Sequence, residues 1–74
     1  MRGSTLQFSS EEEATLTANE SLRGYAIAAY DLLGRPLPIA TTERSIDISN
    51  LPRGIFVLEA VNGSSIFRRQ FLRR

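Results

Sequence analysis

Residues 55–72 read IFVLEAVNGSSIFRRQFL. Two alternating runs flank a short polar stretch that contains Asn62 and Gly63. Side chains of an extended strand point to its two faces in turn, so each run reads as a strand. Asn and Gly accept positive φ at little cost, as a two-residue type I′ turn requires, and we expect a hairpin centred on Asn62-Gly63. In its first strand Phe56, Leu58 and Ala60 share one face, and Ile55, Val57 and Val61 share the other. Both faces are apolar, which predicts a central strand covered on both sides. In its second strand Phe67 and Phe71 share a face with Arg69 and Arg73, while Ile66 and Leu72 share the other with Arg68 and Gln70. We expect the phenylalanine face to point inward.

The same period runs upstream. Thr5 to Ser9 aligns Leu6 with Phe8, Ala14 to Ala18 aligns Ala14, Leu16 and Ala18, Tyr25 to Asp31 aligns Tyr25, Ile27 and Ala29, and Ser45 to Ser49 aligns Ile46 with Ile48. Turn-forming stretches separate the runs: Ser9 to Glu13 after the first, Asn19 to Gly24 before the third. A helical reading fits only residues 9–29, where Ser10 and Glu13 resemble a capping box. The apolar positions there do not hold a 3.6 spacing, and threonines interrupt them. Six or seven short strands with turns every eight to twelve residues predict an all-β sandwich or small barrel.

At 74 residues the chain is one small domain. A chain this short hides only about 60% of the surface its unfolded form exposes. It has no cysteine and no histidine, so disulfides and thiolate or imidazole metal sites are excluded, and no cofactor is expected. Nine basic residues, all arginine, nearly cancel eight acidic ones, which speaks against a nucleic-acid partner. No apolar run approaches the roughly 18 residues that cross a membrane. Met1 to Ser4 resembles an expression leader, leaving residues 5–74 as the domain and implying a piece of a longer protein.

Residues 30–37, YDLLGRPL, gather an acid, a glycine, an arginine and a proline. Asp31 to Gly34 fits a type I turn: Asp at the first position accepts backbone N–H groups, and Gly34 takes the left-handed conformation of a bulged hairpin loop. Pro36 suits an edge strand. The turn does not need Arg35, which is either solvated or paired with Asp31. Leu32 and Leu33 at a turn tip are unusual, and exposed apolar tips mark contact surfaces. Residues 50–56, NLPRGIF, supply the turn residues Asn50, Pro52 and Gly54, with Leu51 placed to plug the core.

Without histidine or cysteine the usual nucleophile–base pairs cannot be built. Most carboxylates fall in predicted turns, and Glu59, mid-strand, is the only one expected to be partly covered. One such acid is not a general acid–base pair. Glu11, Glu12 and Glu13 lack the loop spacing of a calcium site. The arginines and phenylalanine of residues 68–74 could suit RNA or an acidic membrane surface. Their alternation fits better an edge strand whose charges discourage aggregation.

These same residues carry a resemblance. Tyr30, Asp31, Gly34 and Arg35, then Ile48, Leu51, Pro52, Gly54 and Phe56, then Gly63 and the run Phe71, Leu72, Arg73, Arg74, together resemble the C-terminal sorting domain of type IX secretion cargo. In that family an alternating strand ends in a Tyr-Asp-x-x-Gly-Arg turn. An Ile-x-x-Leu-Pro-x-Gly-x-Tyr block then leads into an apolar strand, and a final strand ends in basic residues. The likeness covers residues 25–74. Phe56 stands where tyrosine is common, arginine replaces the usual terminal lysine, Ala28 replaces a longer residue, and the opening Asn-Pro pair is missing.

The resemblance implies an immunoglobulin-like antiparallel sandwich of about seven strands and a signal rather than a catalyst. It implies passage through the periplasm of a Gram-negative bacterium to the cell surface or beyond. The implied partners are the outer-membrane translocation machinery and a surface sortase-like peptidase. The alternative reading is an immunoglobulin-like accessory or adhesion module of a secreted protein, for which the available aromatic platforms are Tyr25 and Tyr30. A thin core and an apolar terminal strand pair also lead us to expect a domain-swapped homodimer that exchanges the terminal hairpin.

Overall fold

The computed structural model describes residues 6–74; the expected leader, Met1 to Ser4, and Thr5, the expected start of the first strand, lie outside the described residues. Eight strands follow in order: β1 (Phe8–Glu12), β2 (Thr15–Ala18), β3 (Ala26–Tyr30), β4 (Pro36–Leu37), β5 (Ala40–Thr41), β6 (Ser45–Asp47), β7 (Gly54–Asn62) and β8 (Ser65–Arg73). They form two four-stranded sheets, β1-β2-β6-β5 and β4-β3-β7-β8, with every pairing antiparallel. Residues 9–29, the one stretch that a helical reading could fit, hold strands β1 to β3, as their period-two pattern predicts. Lettered along the chain, the orders are A-B-E-D and C′-C-F-G, the immunoglobulin arrangement. Strands β4 and β5 are two residues each, too short to leave a period in the sequence.

The core lies between the sheets. Leu16, Ala18 and Ile46 from one sheet meet Ala29, Phe56, Leu58 and Ala60 from the other, with Leu6, Leu22, Ile48 and Leu51 closing the ends. Phe56, Ile46 and Leu58 are essentially inaccessible. Each such side chain contributes about 1.5–3 kcal/mol by leaving water. Three of the eleven buried residues are alanines, which add little area, so the core is thin. Phe8 of β1 packs edge-on against Phe67 and Phe71 of β8, at 5.4 and 6.2 Å between ring centroids, and seals the seam between the two sheets.

Three expectations change. Strand β7 is central in its sheet, but it is covered on one face only: Ile55 is half exposed while Phe56, Leu58 and Ala60 are buried. No third layer lies on the other side among the described residues. The first turn falls at Glu13-Ala14 rather than over Ser9 to Glu13, because β1 runs on to Glu12 through an irregularity in its pairing with β2. The terminal hairpin forms, but its loop is Gly63-Ser64, with Asn62 paired to Ser65. Gly63 alone has positive φ there, at 61°, the pattern of a II′ turn rather than I′. This register sets Glu59 opposite Arg68; centring the loop on Asn62-Gly63 would have set Glu59 against Ile66 and left Arg68 facing Val57.

Candidate functional site

The β3–β4 turn is built by Asp31. Its carbonyl accepts the Gly34 N–H at 3.0 Å, and its own N–H donates to the Arg35 carbonyl at 2.9 Å. Its Oδ1 accepts the N–H groups of Leu33 and Arg35, each at 2.9 Å. Arg35 Nε then donates to Oδ2 at 2.9 Å. The Arg35 amide is the largest cause that holds the Asp31 carboxyl below its ordinary pKa; the Arg35 side chain and the Leu33 amide act in the same direction. Gly34 sits at φ +86°, where a Cβ is disfavoured. The carboxylate thus fills the inside of the loop, and Leu32 and Leu33 are left outside it.

Those leucines join a larger face. Directly opposed residues in antiparallel strands point the same way, so the register gives the outward rows of the β4-β3-β7-β8 sheet. They are Ala26, Val61 and Ile66; Ala28, Glu59 and Arg68; Pro36, Tyr30, Val57 and Gln70; and Ile55 with Leu72. Leu32, Leu33, Ile55, Ile66 and Leu72, the exposed large apolar residues, all lie on this face or at its rim, and each is 50–79% exposed. A shallow hollow of about 520 Å³ opens at its middle, lined by Tyr30, Leu32, Val57, Glu59, Arg68 and Gln70. Arg68 pairs with Glu59 across it, and Glu59 raises the Arg68 pKa. Glu59 is not alone in being partly covered, since Glu20 and Asp31 are half-buried too.

Most residues of the three sequence blocks meet at one end of this sheet, while Ile48 sits at the end of the opposite one. Tyr30 and the turn after it lie beside Val57; Gly54, Ile55 and Phe56 lie beside Arg73, Leu72 and Phe71. Gly63 stands apart, at the far tip of the hairpin. Nine residues of β7 at about 3.3 Å each put it roughly 30 Å away.

Within the cluster the candidate residues divide by what they touch. Leu51 and Phe56 are buried, and Phe71 stacks on Phe56 at 6.0 Å. Arg73 is half-buried and ties β8 to the opposite sheet's end: its Nε donates to the Ile48 carbonyl at 3.0 Å and its Nη2 to that of Ser49 at 3.4 Å. Asp47 stiffens that corner by accepting the Ser49 N–H at 2.9 Å, the main cause of its lowered pKa. Arg35, Pro52, Leu72 and Arg74 are exposed. Sequence reasoning did not assign Ile55, Val57, Ile66, Arg68 and Gln70 to a site. The available signal was the alternation within each strand: Ile55 and Val57 alternate with Phe56 and Leu58, and Ile66, Arg68 and Gln70 alternate with Phe67 and Phe71.

Among the described residues, no group of three or more histidine, cysteine, aspartate or glutamate side chains could hold a metal ion. Set beside known proteins, the chain matches no family model, no curated protein and no solved structure.

Proposed function

We propose that this chain is a folded C-terminal sorting signal of type IX secretion cargo, passing through the periplasm and delivering its parent protein across the outer membrane to the cell surface. One observation carries the reading. Sequence blocks spaced some twenty residues apart converge at one end of the sandwich, most of their residues on the β4-β3-β7-β8 sheet, beside an exposed apolar face that the fold does not use. Recognition there combines the leucine tip, Leu72 and the cations Arg35 and Arg74. The partners in this reading are the outer-membrane translocation machinery and a surface sortase-like peptidase. Exchange of the terminal hairpin, β7 with β8, between two chains also belongs to it. Light scattering that finds monomer alone at high concentration would remove that part.

The test fuses residues 5–74 behind a periplasmic reporter in a host with this machinery. Deleting residues 71–74 is a blunt probe, because it also removes the Phe71 stack and the Arg73 tie. Leu72→Ser combined with Arg74→Ala leaves both in place. Surface export should fall in either case, and unchanged export in both would sink the reading.

A second reading, an immunoglobulin-like accessory or adhesion module, is favoured by the hollow beside Tyr30. Glycan binding that is lost in Tyr30→Ala would support it. Tyr25 lies elsewhere, in a smaller depression with Leu22 and Ile27.

A further inference from the structure

Two sheets have four edges, and three of them are blunted. Strands β4 and β5 are two residues long, and β4 begins with Pro36, which has no N–H to offer. The pairing of β1 with β2 is interrupted between Ser9 and Glu12. The fourth edge, β8, is different. It spans nine residues, contains no proline, and keeps one unbroken register with β7 from Arg73 to Ser65. Among the described residues no strand pairs with its outer side.

Its free hydrogen-bonding groups can be assigned. In a hairpin with a two-residue loop, the closing pair exchanges both backbone bonds, and hydrogen-bonded pairs then alternate along the strands. Asn62–Ser65 closes this loop, so Ser65, Phe67, Arg69, Phe71 and Arg73 turn their backbone groups toward β7. Ile66, Arg68, Gln70 and Leu72 turn theirs outward. Four N–H and four C=O groups therefore line an open edge.

The side chains say what can approach. Arg68, Arg69, Arg73 and Arg74 lie on or just after this strand, with no acid among residues 65–74. Glu59 neutralises Arg68, and Arg73 is tied to Ile48 and Ser49. Arg69 lies over the Phe67 ring, 5.6 Å from its centre, and Arg74 is exposed. A second copy of β8 laid along the edge would gather eight arginines, four from each strand, along one seam. The cations thus oppose self-pairing while leaving the backbone open to a strand of the opposite charge.

We propose that the outer edge of β8 is a docking site for an extended acidic segment of a partner protein, which adds a strand through Ile66, Arg68, Gln70 and Leu72. Main-chain bonds supply the affinity, and Arg69 and Arg74 supply the charge preference. The proposal rests on the reading of this chain as a recognition module, and it names the chemistry of the partner.

The experiment uses the full ¹⁵N-labelled chain and two eight-residue probes: alternating Thr-Glu, and the same peptide with Lys for Glu. The acidic peptide should slow amide exchange at Ile66, Arg68, Gln70 and Leu72. It should bind about tenfold tighter than the basic one at low salt, and weaken as salt is added. Gln70→Pro removes an outward N–H without touching the β7 ladder and should abolish binding. Should that variant fail to fold, Arg69→Glu serves: it should weaken the acidic peptide about tenfold and improve the basic one. Equal binding of both peptides, or protection away from those four amides, overturns the proposal. So does an octathymidylate that binds as tightly with no amide protected. No secretion host is involved, so a negative result here leaves the sorting-signal reading standing. Loss of the export phenotype in the fusion test leaves the edge map standing in turn.

Discussion

The two sheets carry opposite outer faces. On β1-β2-β6-β5 the outward rows hold Ser9, Thr17 and Ser45, then Thr15, Asp47 and Ala40. On β4-β3-β7-β8 they hold isoleucines, valines, a leucine and a tyrosine around one ion pair. A sandwich needs one apolar face per sheet, and hydroxyl-bearing residues on the other face keep strand propensity without attracting neighbours. The first sheet follows that rule. The second has apolar surface beyond what folding uses, and exposed surface of that kind marks contact with another molecule. The open edge and most residues of the sequence blocks are on the second sheet.

The contrast is broken most severely from inside. Leu58 and Leu72 both belong to the β7–β8 hairpin, and they point in opposite directions. Leu58→Ala should cost about 2–5 kcal/mol, since Leu58 is wholly buried and a cavity would remain. Small domains hold only about 5–15 kcal/mol in total, so urea titration should find this variant near or beyond the edge of folding. A loss below about 1 kcal/mol would mean that the two sheets are not packed as described.

Arg73 joins the sheets at the end where the blocks meet. Arg73→Met keeps the side-chain stem and removes the guanidinium, leaving the Ile48 carbonyl without its donor. The loss expected for a charged hydrogen bond in a half-exposed place is about 1–2 kcal/mol, read as a lower urea midpoint with unchanged slope. An unchanged midpoint would return Arg73 to the set of solvated cations.

This residue also shows where sequence reading stops. Period-two alternation located five of the six longer strands and met β1 only at Phe8 and Ser9, and the chemistry of Asp31, Gly34 and Pro36 described the turn because those causes are local. The pairing of Arg73 with Ile48 and Ser49 spans some 25 residues and leaves no local trace. The same holds for the outer face of β7. Ile55, Val57 and Val61 are as apolar as a covered face, and only the layering reveals that nothing among the described residues covers them. The hairpin loop slipped by one position because Asn62-Gly63 suits two placements, and the Glu59–Arg68 pair favours the one observed.

On the polar sheet the weak point is the β1–β2 turn. Ala14 has φ +65°, a left-handed conformation that costs a non-glycine residue about 1–2 kcal/mol. Ala14→Gly releases that cost and loses some of it to the freer unfolded chain. Thermal unfolding should show a net gain of about 0.5–1 kcal/mol. A lower melting temperature would place the strain elsewhere.

The apolar sheet has a matching local device in Asp31. A carboxyl with a depressed folded pKa stabilises the native state fully above its unfolded value, and that contribution fades as pH falls through the folded one. The β3–β4 turn should therefore hold from neutral pH to about pH 4 and loosen in stronger acid. Faster amide exchange at Leu33 and Arg35 below that point is the expected sign. Asp31→Asn should remove the pH dependence, and its persistence in that variant would exclude Asp31 as the cause.

The smallest change in stability tests the contrast most directly. Ile66→Thr with Leu72→Thr gives the second sheet the chemistry of the first. Threonine suits an exposed strand position, so each substitution should alter stability by no more than about 0.5 kcal/mol. Binding of a hydrophobic dye should fall all the same. The mirror variant, Thr15→Leu with Thr17→Leu, should create dye binding and concentration-dependent association in light scattering. If the threonine pair instead unfolds the domain, Ile66 and Leu72 belong to the fold, and the second sheet has no surplus apolar surface to offer a partner.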